Sequence, residues 1–271
     1  MTNRTLFAVG AHADDHESPI GGTLLKYHDL GYKIAYVLST NNFSGNWSKL
    51  QPDGRITHDP CPHWKIEPQR KLEAARAAAE LGTVPIHLDH PQRHYFNDEG
   101  KQVEVRYGCE LPKGLPANIP TILTAYEDKA SVQKLADLIL EHNPEAVLTH
   151  SPIMVNIEHW ATCMLVTNAY WKAVQKGFEG MLLHWYDISV GPFGEAYVKW
   201  DTFVDVSKYW KRKFELMGIH ACQIPVPANM ELPELGSACG CEHAEAFWIV
   251  SSGKRPVQGT PFNFEILGNR R

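Results

Sequence analysis

Short apolar runs alternate along the chain with longer segments in which apolar residues recur at helical spacing. The short runs are rich in β-branched and aromatic residues and predict five strands, at 5–9, 33–39, 84–88, 146–149 and 182–189. The periodic segments predict five helices, at 19–30, 68–81, 131–142, 158–174 and 207–220. Strand–helix alternation of this kind predicts an α/β fold: a single Rossmann-like domain over residues 1–271, with a mostly parallel sheet and helices on both faces.

Punctuation residues set the expected ends of these elements. Ser18 is typical of a helix N-cap and Pro19 of a first helical residue, while Gly31 and Gly82 are typical of helix ends. The polar and Pro-containing segments 41–66 and 89–127 predict long loops, and the Pro- and Gly-rich tail after residue 220 predicts irregular structure.

Composition excludes several classes of protein. The hydrophobic fraction of 44% and the charged fraction of 21% are those of a globular chain with a core. The net charge of −5 disfavours a partner that is a nucleic acid or an anionic membrane. No stretch approaches the roughly 18 apolar residues of a spanning helix, and the apolar run 6–11 is too short for a signal peptide. We therefore expect a cytoplasmic protein, and the sequence leaves a homo-oligomer open.

Six cysteines are present, an even number that would suit disulfides in an exported protein. Because the chain is large and shows no export signal, reduced thiols are the favoured interpretation. The run Cys239-Gly240-Cys241-Glu242-His243 is compatible with a metal site, but a structural zinc needs four ligands and no second pair of thiols lies near.

Candidate chemistry follows the first and fourth predicted strands, which are neighbours at the switch point of a dinucleotide-type sheet. Two clusters stand there, 11–17 (AHADDHE) and 149–159, the second containing His150 and Glu158-His159. A catalytic zinc takes three His or carboxylate ligands and keeps one position open for water. His12, Asp15 and His159 are the candidate ligands, and the adjacent Asp14 is the candidate general base. The alternative is that acidic residues merely favour the positive end of a helix, with the histidines at the loop surface.

The AHADDHE segment resembles the AHPDDxE signature of the LmbE-like, or PIG-L, zinc-dependent N-acetylglucosaminyl deacetylases, with Ala13 in place of proline. Further short matches follow in the order of the family. They are Arg70-x-x-Glu73 with Leu81-Gly82, the stretch 149–162, Val204-Asp205-Val206-Ser207, Lys213, His220-Ala221-Cys222-Gln223, and Ala244-Glu245-Ala246-Phe247.

The resemblance implies a Rossmann-like fold, one Zn²⁺ per chain, and hydrolysis of an N-acyl group from an amino sugar or related glycoconjugate. Other divalent metals stay open. Carried over residue by residue, His12, Asp15 and His159 match the family's metal ligands and Asp14 matches its base. Arg70 matches an arginine that holds sugar hydroxyls.

Two positions depart from the family pattern. Asn156 stands where the family usually has a histidine, and Glu158 where it usually has an aspartate. An asparagine can donate a hydrogen bond to an oxyanion, but it cannot deliver a proton at neutral pH. His150 is the candidate replacement for that proton donor, while Glu158 is long enough to orient a metal ligand from behind.

Two alternatives of other classes accompany the deacetylase hypothesis. Two histidines and one carboxylate also hold Fe(II) in non-haem oxygenases, although the strand–helix alternation disfavours that class. A catalytically weakened protein that binds a metal or a sugar would explain the departure at Asn156. A nicotinamide enzyme is disfavoured because no G-x-G-x-x-G follows the first strand.

Overall fold

A computed structural model describes residues 4–106, 119–186, 200, 202–226, 232, 235–253 and 265–266. The strands are β1 (Thr5–Gly10), β2 (Lys33–Thr40), β3 (Asn46–Leu50), β4 (Ile56–Pro60), β5 (Ile86–His90), β6 (His94–Phe96), β7 (Gln102–Glu104), β8 (Ala146–His150), β9 (Met181–Trp185), β10 (Thr202–Asp205), β11 (Ala244–Ser251) and β12 (Glu265–Ile266). The helices are α1 (Glu17–Asp29), α2 (His63–Glu80), α3 (Ile122–Ala125), α4 (Lys129–His142), α5 (Ile157–Gln175), α6 (Trp210–Met217) and α7 (Gly236–Cys239).

The central sheet has eight strands in the order β12-β10-β11-β9-β8-β1-β2-β5. The five strands from β9 to β5 are parallel, and β11, β10 and β12 are joined to them through antiparallel pairs. Two short hairpins, β3–β4 and β6–β7, lie outside this sheet. The predicted fold class, α/β with a mostly parallel sheet, is confirmed, whereas the prediction of one domain over 1–271 stays a prediction.

Alternate residues of β1 pack into two different cores. Leu6 and Ala8 belong to a cluster with apolar residues of α1, α2 and α6, while Phe7 and Val9 belong to a cluster with residues of α3, α4 and α5. The side-chain alternation of a strand therefore buries the sheet between two layers of helices. β1 also lies between β2 and β8, with Val9 paired to Thr149, so the chain leaves both strands at the same edge.

The five predicted strands all occur, with ends displaced by a few residues, and residues 187–189 of the fifth lie outside the described part. Three strands at the other side of the sheet are not predicted from the sequence. β10 lies in a stretch to which no element is assigned, and β11 and β12 lie in the tail predicted as irregular. The hairpins β3–β4 and β6–β7 were likewise missed, since their residues are mostly polar and partly exposed.

Helix starts differ most from the predictions. α1 begins at Glu17 with His16 at the N-cap position, so Ser18 and Pro19 are inside it. α2 begins at His63 and contains Pro68 internally, whereas the sequence predicts Pro68 as its start. The predicted helix 207–220 is a 3₁₀ turn over 207–209 followed by α6. Pro19, the third residue of α1, is tolerated because an N–H in the first turn has no intrahelical partner. Pro68 is the sixth residue of α2 and removes one hydrogen bond of that helix.

Within the described part, no helix is both long and apolar enough to cross a bilayer. The five described cysteines are free, and Cys109 lies outside the described residues.

Candidate active site

The loop 11–16 that follows β1 is fixed by the ends of the two neighbouring strands. The Ala11 carbonyl accepts hydrogen bonds from the Thr40 N–H (3.1 Å) and hydroxyl (2.7 Å) at the end of β2. The Ala11 N–H donates to His150 Nε2 at the end of β8, at 3.1 Å. Within the loop, the His12 N–H donates to Asp15 Oδ2 at 2.6 Å. Because both anchors are strand ends, the loop's conformation is set by the sheet.

Three of the predicted site residues converge at this edge. One ligand atom from each of His12, Asp15 and His159 lies within 4.8 Å of the others. Asp15 is at the centre: its Oδ2 is 3.3 Å from His12 Nδ1 and its Oδ1 is 3.2 Å from His159 Nε2. His12 and Asp15 come from the loop after β1 and His159 from the first turn of α5, so the sheet topology brings together residues far apart in sequence.

The carboxylate of Asp15 and the neighbouring histidines shift one another's pKa values. Burial on its own would raise the pKa of Asp15, but His159 and His12 hold that pKa well below its usual range. Burial lowers the pKa of His12, yet Asp15 and Glu158 outweigh it, and the pKa of His12 is raised. A cation is thus favoured between these groups, and a bound metal ion would displace protons from the histidines.

Glu158 lies behind His12, on the side away from Asp15. Its Oε2 accepts a hydrogen bond of 2.7 Å from His12 Nε2, and its Oε1 accepts one of 2.7 Å from the Arg93 N–H. Gln92 Nε2 donates to Oε2 at 3.2 Å. Although burial opposes it, the hydrogen bond from His12 and the further donors lower the pKa of Glu158 to about 2. An ionised Glu158 holds a proton of His12 on Nε2, so that loss of the Nδ1 proton to a bound metal ion would leave Nδ1 as the ligand atom.

Asp14, next to Asp15 in the chain, is not one of the three clustered side chains and contacts Arg70. Its Oδ1 accepts a hydrogen bond of 3.1 Å from Arg70 Nη2, and its backbone has a φ of 115°, a region that side chains other than glycine rarely adopt. Burial raises the pKa of Asp14, the charge of Asp15 adds to the rise, and Arg70 opposes it. The two adjacent carboxylates thus have different partners: Asp14 contacts Arg70, whereas Asp15 lies between His12 and His159.

Arg70 and Asn42 hold the peptide that precedes Asp14. Arg70 Nη2 donates to the Ala13 carbonyl at 2.9 Å, and its Nη1 donates to the Ser44 carbonyl at 2.9 Å. Asn42 Oδ1 accepts from the Ala13 N–H at 2.7 Å. Asn42 itself has a φ of 61°, which asparagine tolerates better than most residues. Sequence reasoning missed Asn42, whose only signal is its place two residues after β2.

His150 lies between His159 of the cluster and Trp185. Its ring stacks on His159 with centroids 4.1 Å apart and rests on Trp185 at 4.7 Å. The side chain is 1% exposed, its Nε2 accepts the Ala11 N–H, and the same atom is 3.3 Å from Asp15 Oδ2. A histidine that accepts at Nε2 carries no proton on that atom. The role of proton donor predicted for His150 stays a prediction.

Asn156 is the N-cap of α5. Its side-chain oxygen accepts from the Glu158 N–H at 3.0 Å, which fixes the helix start that carries Glu158 and His159. The structure thus gives Asn156 a helix-capping contact, and its predicted role toward an oxyanion stays a prediction.

A family model decides the relationship. The model of PIG-L, described as GlcNAc-PI de-N-acetylase, matches residues 7–170, which is more than half of the chain. The chain belongs to the PIG-L family. The matched range includes every candidate residue of the site, from His12 to His159.

Solved structures share the PIG-L fold of this chain at low sequence identity. GalB, the 4-carboxy-2-hydroxymuconate hydratase from Pseudomonas putida KT2440, has a TM-score of 0.64 at 20% identity and covers 92% of this chain and 96% of its own. The N,N'-diacetylchitobiose deacetylase from Pyrococcus horikoshii has a TM-score of 0.62 at 17% identity, with 98% and 90% covered. A deacetylase of teicoplanin biosynthesis, solved with teicoplanin, has a TM-score of 0.59 at 16% identity, with 90% and 97% covered.

The other PIG-L motifs of the chain make buried contacts around this site. Glu73 accepts from the Cys222 N–H at 3.1 Å and from its thiol at 2.9 Å, which joins α2 to the segment after α6. Glu245 binds Lys213 at 2.6 Å and accepts from two N–H groups of α1. Lys213 is therefore buried in an ion pair with Glu245, which arrives from a strand that the sequence does not predict.

A second buried acid–histidine pair lies next to Asp14. His220 Nε2 is 3.2 Å from Glu17 Oε2, and both side chains are fully buried. Glu17 also accepts from the Tyr36 hydroxyl at 2.9 Å. Burial lowers the pKa of His220, but Glu17 and Asp14 raise it further than burial lowers it. The raised pKa favours the protonated form of His220, which would add positive charge near Asp14.

Proposed function

We propose that the protein is a zinc-dependent hydrolase that removes an N-acetyl or other N-acyl group from an amino sugar or related glycoconjugate. The observation that carries the proposal is the convergence of His12, Asp15 and His159 beside Asp14, which contacts Arg70. Membership of the PIG-L family supports the reaction class.

The donor set fits a zinc ion. Two imidazoles and one carboxylate are ligands that zinc prefers, and three protein ligands leave a position for water and substrate. Glu158 on the far nitrogen of His12 supplies the outer carboxylate that such histidine ligands usually have. When bound, the ion would polarise the amide carbonyl and acidify a water molecule.

Asp14 is the proposed proton acceptor. Its side chain is 18% exposed, so the attacking water and the substrate can reach it. Because burial raises its pKa, the carboxylate is a stronger base than an ordinary aspartate. The same raised pKa lets the protonated carboxyl return the proton to the departing nitrogen, so that Asp14 serves as base and then as acid.

Arg70 is proposed to orient Asp14 and to contact the substrate through the small exposed part of its side chain. Its side chain is only 5% exposed and three of its N–H···O contacts go to the protein. Arg70 pairs with Asp14 and not with Glu73 on the same helix, whose carboxylate accepts from the Cys222 thiol.

A second candidate function is hydration of a carbon–carbon double bond in a carboxylated acid. Asn156 favours it, because a hydratase expels no amine and so needs no leaving-group proton from the histidine that the family usually has at this position. The proton that Asp14 would take from water would pass to the neighbouring carbon of the double bond. The hydratase GalB shares the fold, and the same metal-ligand set would serve to activate water. Family membership and the parallel sheet favour either reaction over the oxygenase alternative.

The deciding experiment measures metal content and acetate release together. Purified protein is assayed with N-acetylated amino sugars and, separately, with unsaturated hydroxy acids whose conjugated absorbance falls on hydration. Asp14→Asn is the matched control, since it keeps the ligand set. Acetate release that chelation and Asp14→Asn both abolish supports the deacetylase. Loss of absorbance without acetate release selects the hydratase, and zinc and sugar binding without turnover selects a non-catalytic binder.

A further inference from the structure

Two cysteines face each other in a tight turn on the β10–β11 side of the sheet. Cys239 ends α7 and Cys241 follows after Gly240, whose φ of 78° is in the left-handed region. The two Sγ atoms are 3.2 Å apart. Gly240 is the single residue between the two cysteines. A glycine tolerates the left-handed backbone that this short turn needs.

A hydrogen bond and close packing fix the backbone on both sides of the two cysteines. The Cys241 N–H donates to the Gly236 carbonyl at 3.1 Å. A Cβ atom on Gly236 would come within 2.3 Å of the Glu242 carbonyl oxygen. Cys239 Sγ contacts the Gly236 carbonyl at 3.4 Å, and Cys241 Sγ contacts the His243 carbonyl at 3.4 Å. These contacts keep the two Sγ atoms next to each other on the same side of the turn.

Access distinguishes this pair from the other described cysteines. Cys61, Cys163 and Cys222 are buried, whereas Cys239 and Cys241 are half-exposed. A metal site needs further ligands, and the described residues contain one cluster of three or more metal-ligating side chains, formed by His12, Asp15 and His159. Two accessible thiols in contact, without a third ligand among the described residues, are suited to sulfur exchange.

We propose that Cys239 and Cys241 form a redox-active dithiol that closes to an intramolecular disulfide by exchange with a low-molecular-weight disulfide. The Cys239 thiolate attacks one sulfur of the small disulfide and releases one thiol. The Cys241 thiolate then attacks Cys239 Sγ and releases the second thiol. Two electrons pass from the cysteines to the small disulfide, and the two protons of the cysteines leave with its two thiols.

Geometry and acidity support this order. The sulfur atoms must approach from 3.2 Å to the bond length of about 2.05 Å, which needs side-chain rotation and no large movement of the backbone. Burial, together with the hydrogen bond to Cys239, raises the pKa of Cys241 to about 12. The raised pKa disfavours Cys241 as the first attacking group, since the thiolate is the attacking form, and the proposal therefore gives the first attack to Cys239.

The test uses the full-length protein and oxidised glutathione as the probe. The reduced protein is incubated with the probe, remaining thiols are blocked with N-ethylmaleimide, and the cysteines are mapped by peptide mass spectrometry. We expect a peptide that has lost two hydrogen atoms and joins Cys239 to Cys241, while buried Cys163 is blocked only after denaturation. Reduction with dithiothreitol should restore both thiols.

Variants separate the pair from general thiol oxidation. Cys163→Ser is the matched control and should close the disulfide as the wild type does. Cys241→Ser should trap glutathione on Cys239. Cys239→Ser should react with oxidised glutathione at least about tenfold more slowly than the wild type. Wild-type protein whose two thiols both remain open to N-ethylmaleimide in excess probe would overturn the proposal. So would protein in which each carries glutathione, or in which either is joined to Cys109.

Discussion

Replacing Glu158 with glutamine removes the charge behind His12 and keeps the shape of the side chain. The carboxylate accepts from three donors, His12 Nε2, Gln92 Nε2 and the Arg93 N–H. A glutamine offers one oxygen and one NH₂ group. If the oxygen stays with His12 and Gln92, the NH₂ group faces the Arg93 N–H across 2.7 Å, and one buried donor loses its partner.

The size of the effect follows from these contacts. Loss of an outer carboxylate of this kind weakens metal binding by about 10–100-fold, or about 1.4–2.7 kcal/mol. The unpaired N–H costs about 1–3 kcal/mol of folding stability in addition. Because His12 Nδ1 still faces Asp15, we expect Glu158→Gln to bind zinc with the same stoichiometry but a raised dissociation constant.

Competition against a chromophoric chelator measures the dissociation constant, and thermal unfolding with and without zinc measures stability. Glu67→Gln is the matched control, since Glu67 pairs with Lys71 at 2.9 Å on α2 and is not part of the cluster of His12, Asp15 and His159. Glu158→Asp, which restores the charge on a shorter stem, should recover part of the affinity. A Glu158→Gln protein that loses thermal stability yet keeps wild-type zinc affinity would show that Glu158 only holds the fold, and the reasoning above would be refuted.

Four further predictions concern single side chains. Asp14→Asn should keep the metal and lower kcat by about 10²–10⁴-fold, as shown by metal content and steady-state kinetics. Arg70→Ala should lower kcat/KM without loss of metal and move the acidic limb of the pH profile to higher pH, because Arg70 lowers the pKa of Asp14; an unmoved limb would contradict the Arg70–Asp14 link. If His150 donates the proton, His150→Ala should lower kcat/KM at constant metal content, and Asn156→His added to that variant should restore part of the rate; an unchanged rate in His150→Ala would exclude that role. Burial lowers the pKa of His184 from 6.5 to about 4. The free energy of unfolding should therefore be unaffected by His184 above pH 6.5 and should fall by about 3 kcal/mol as the pH drops toward 4. Urea unfolding of His184→Gln should show a flatter pH dependence than the wild type, and an equal slope would contradict this assignment.

Sequence reasoning could place the metal-ligand candidates because one rule of topology was enough. Parallel strands that neighbour each other at a switch point end at the same edge, and β1 and β8 do so in this sheet. His12, Asp15 and His159 follow these strands, so their proximity depends on sheet order and not on details of packing.

The contacts that tune the site depend on side chains brought from distant segments. The hydrogen bond from the Arg93 N–H to Glu158 requires the path of the chain after β5, in a region that the sequence predicts only as a loop. The placement of Asn42 against Ala13 requires a left-handed residue after β2. Neither a period of apolar residues nor a strand order contains this information, because both contacts are single polar pairs.

The substitution at Asn156 changes how the site must handle its proton. An asparagine cap fixes the start of α5 and so positions Glu158 and His159, but it holds no proton that could be given to an amine. His150 has the necessary imidazole, yet its Nε2 receives the Ala11 N–H and its side chain is 1% exposed. Asp14 is more accessible and has a raised pKa. A single carboxylate that accepts the proton of water and returns it to nitrogen therefore needs no histidine at position 156, and Asn156→His should then leave kcat nearly unchanged.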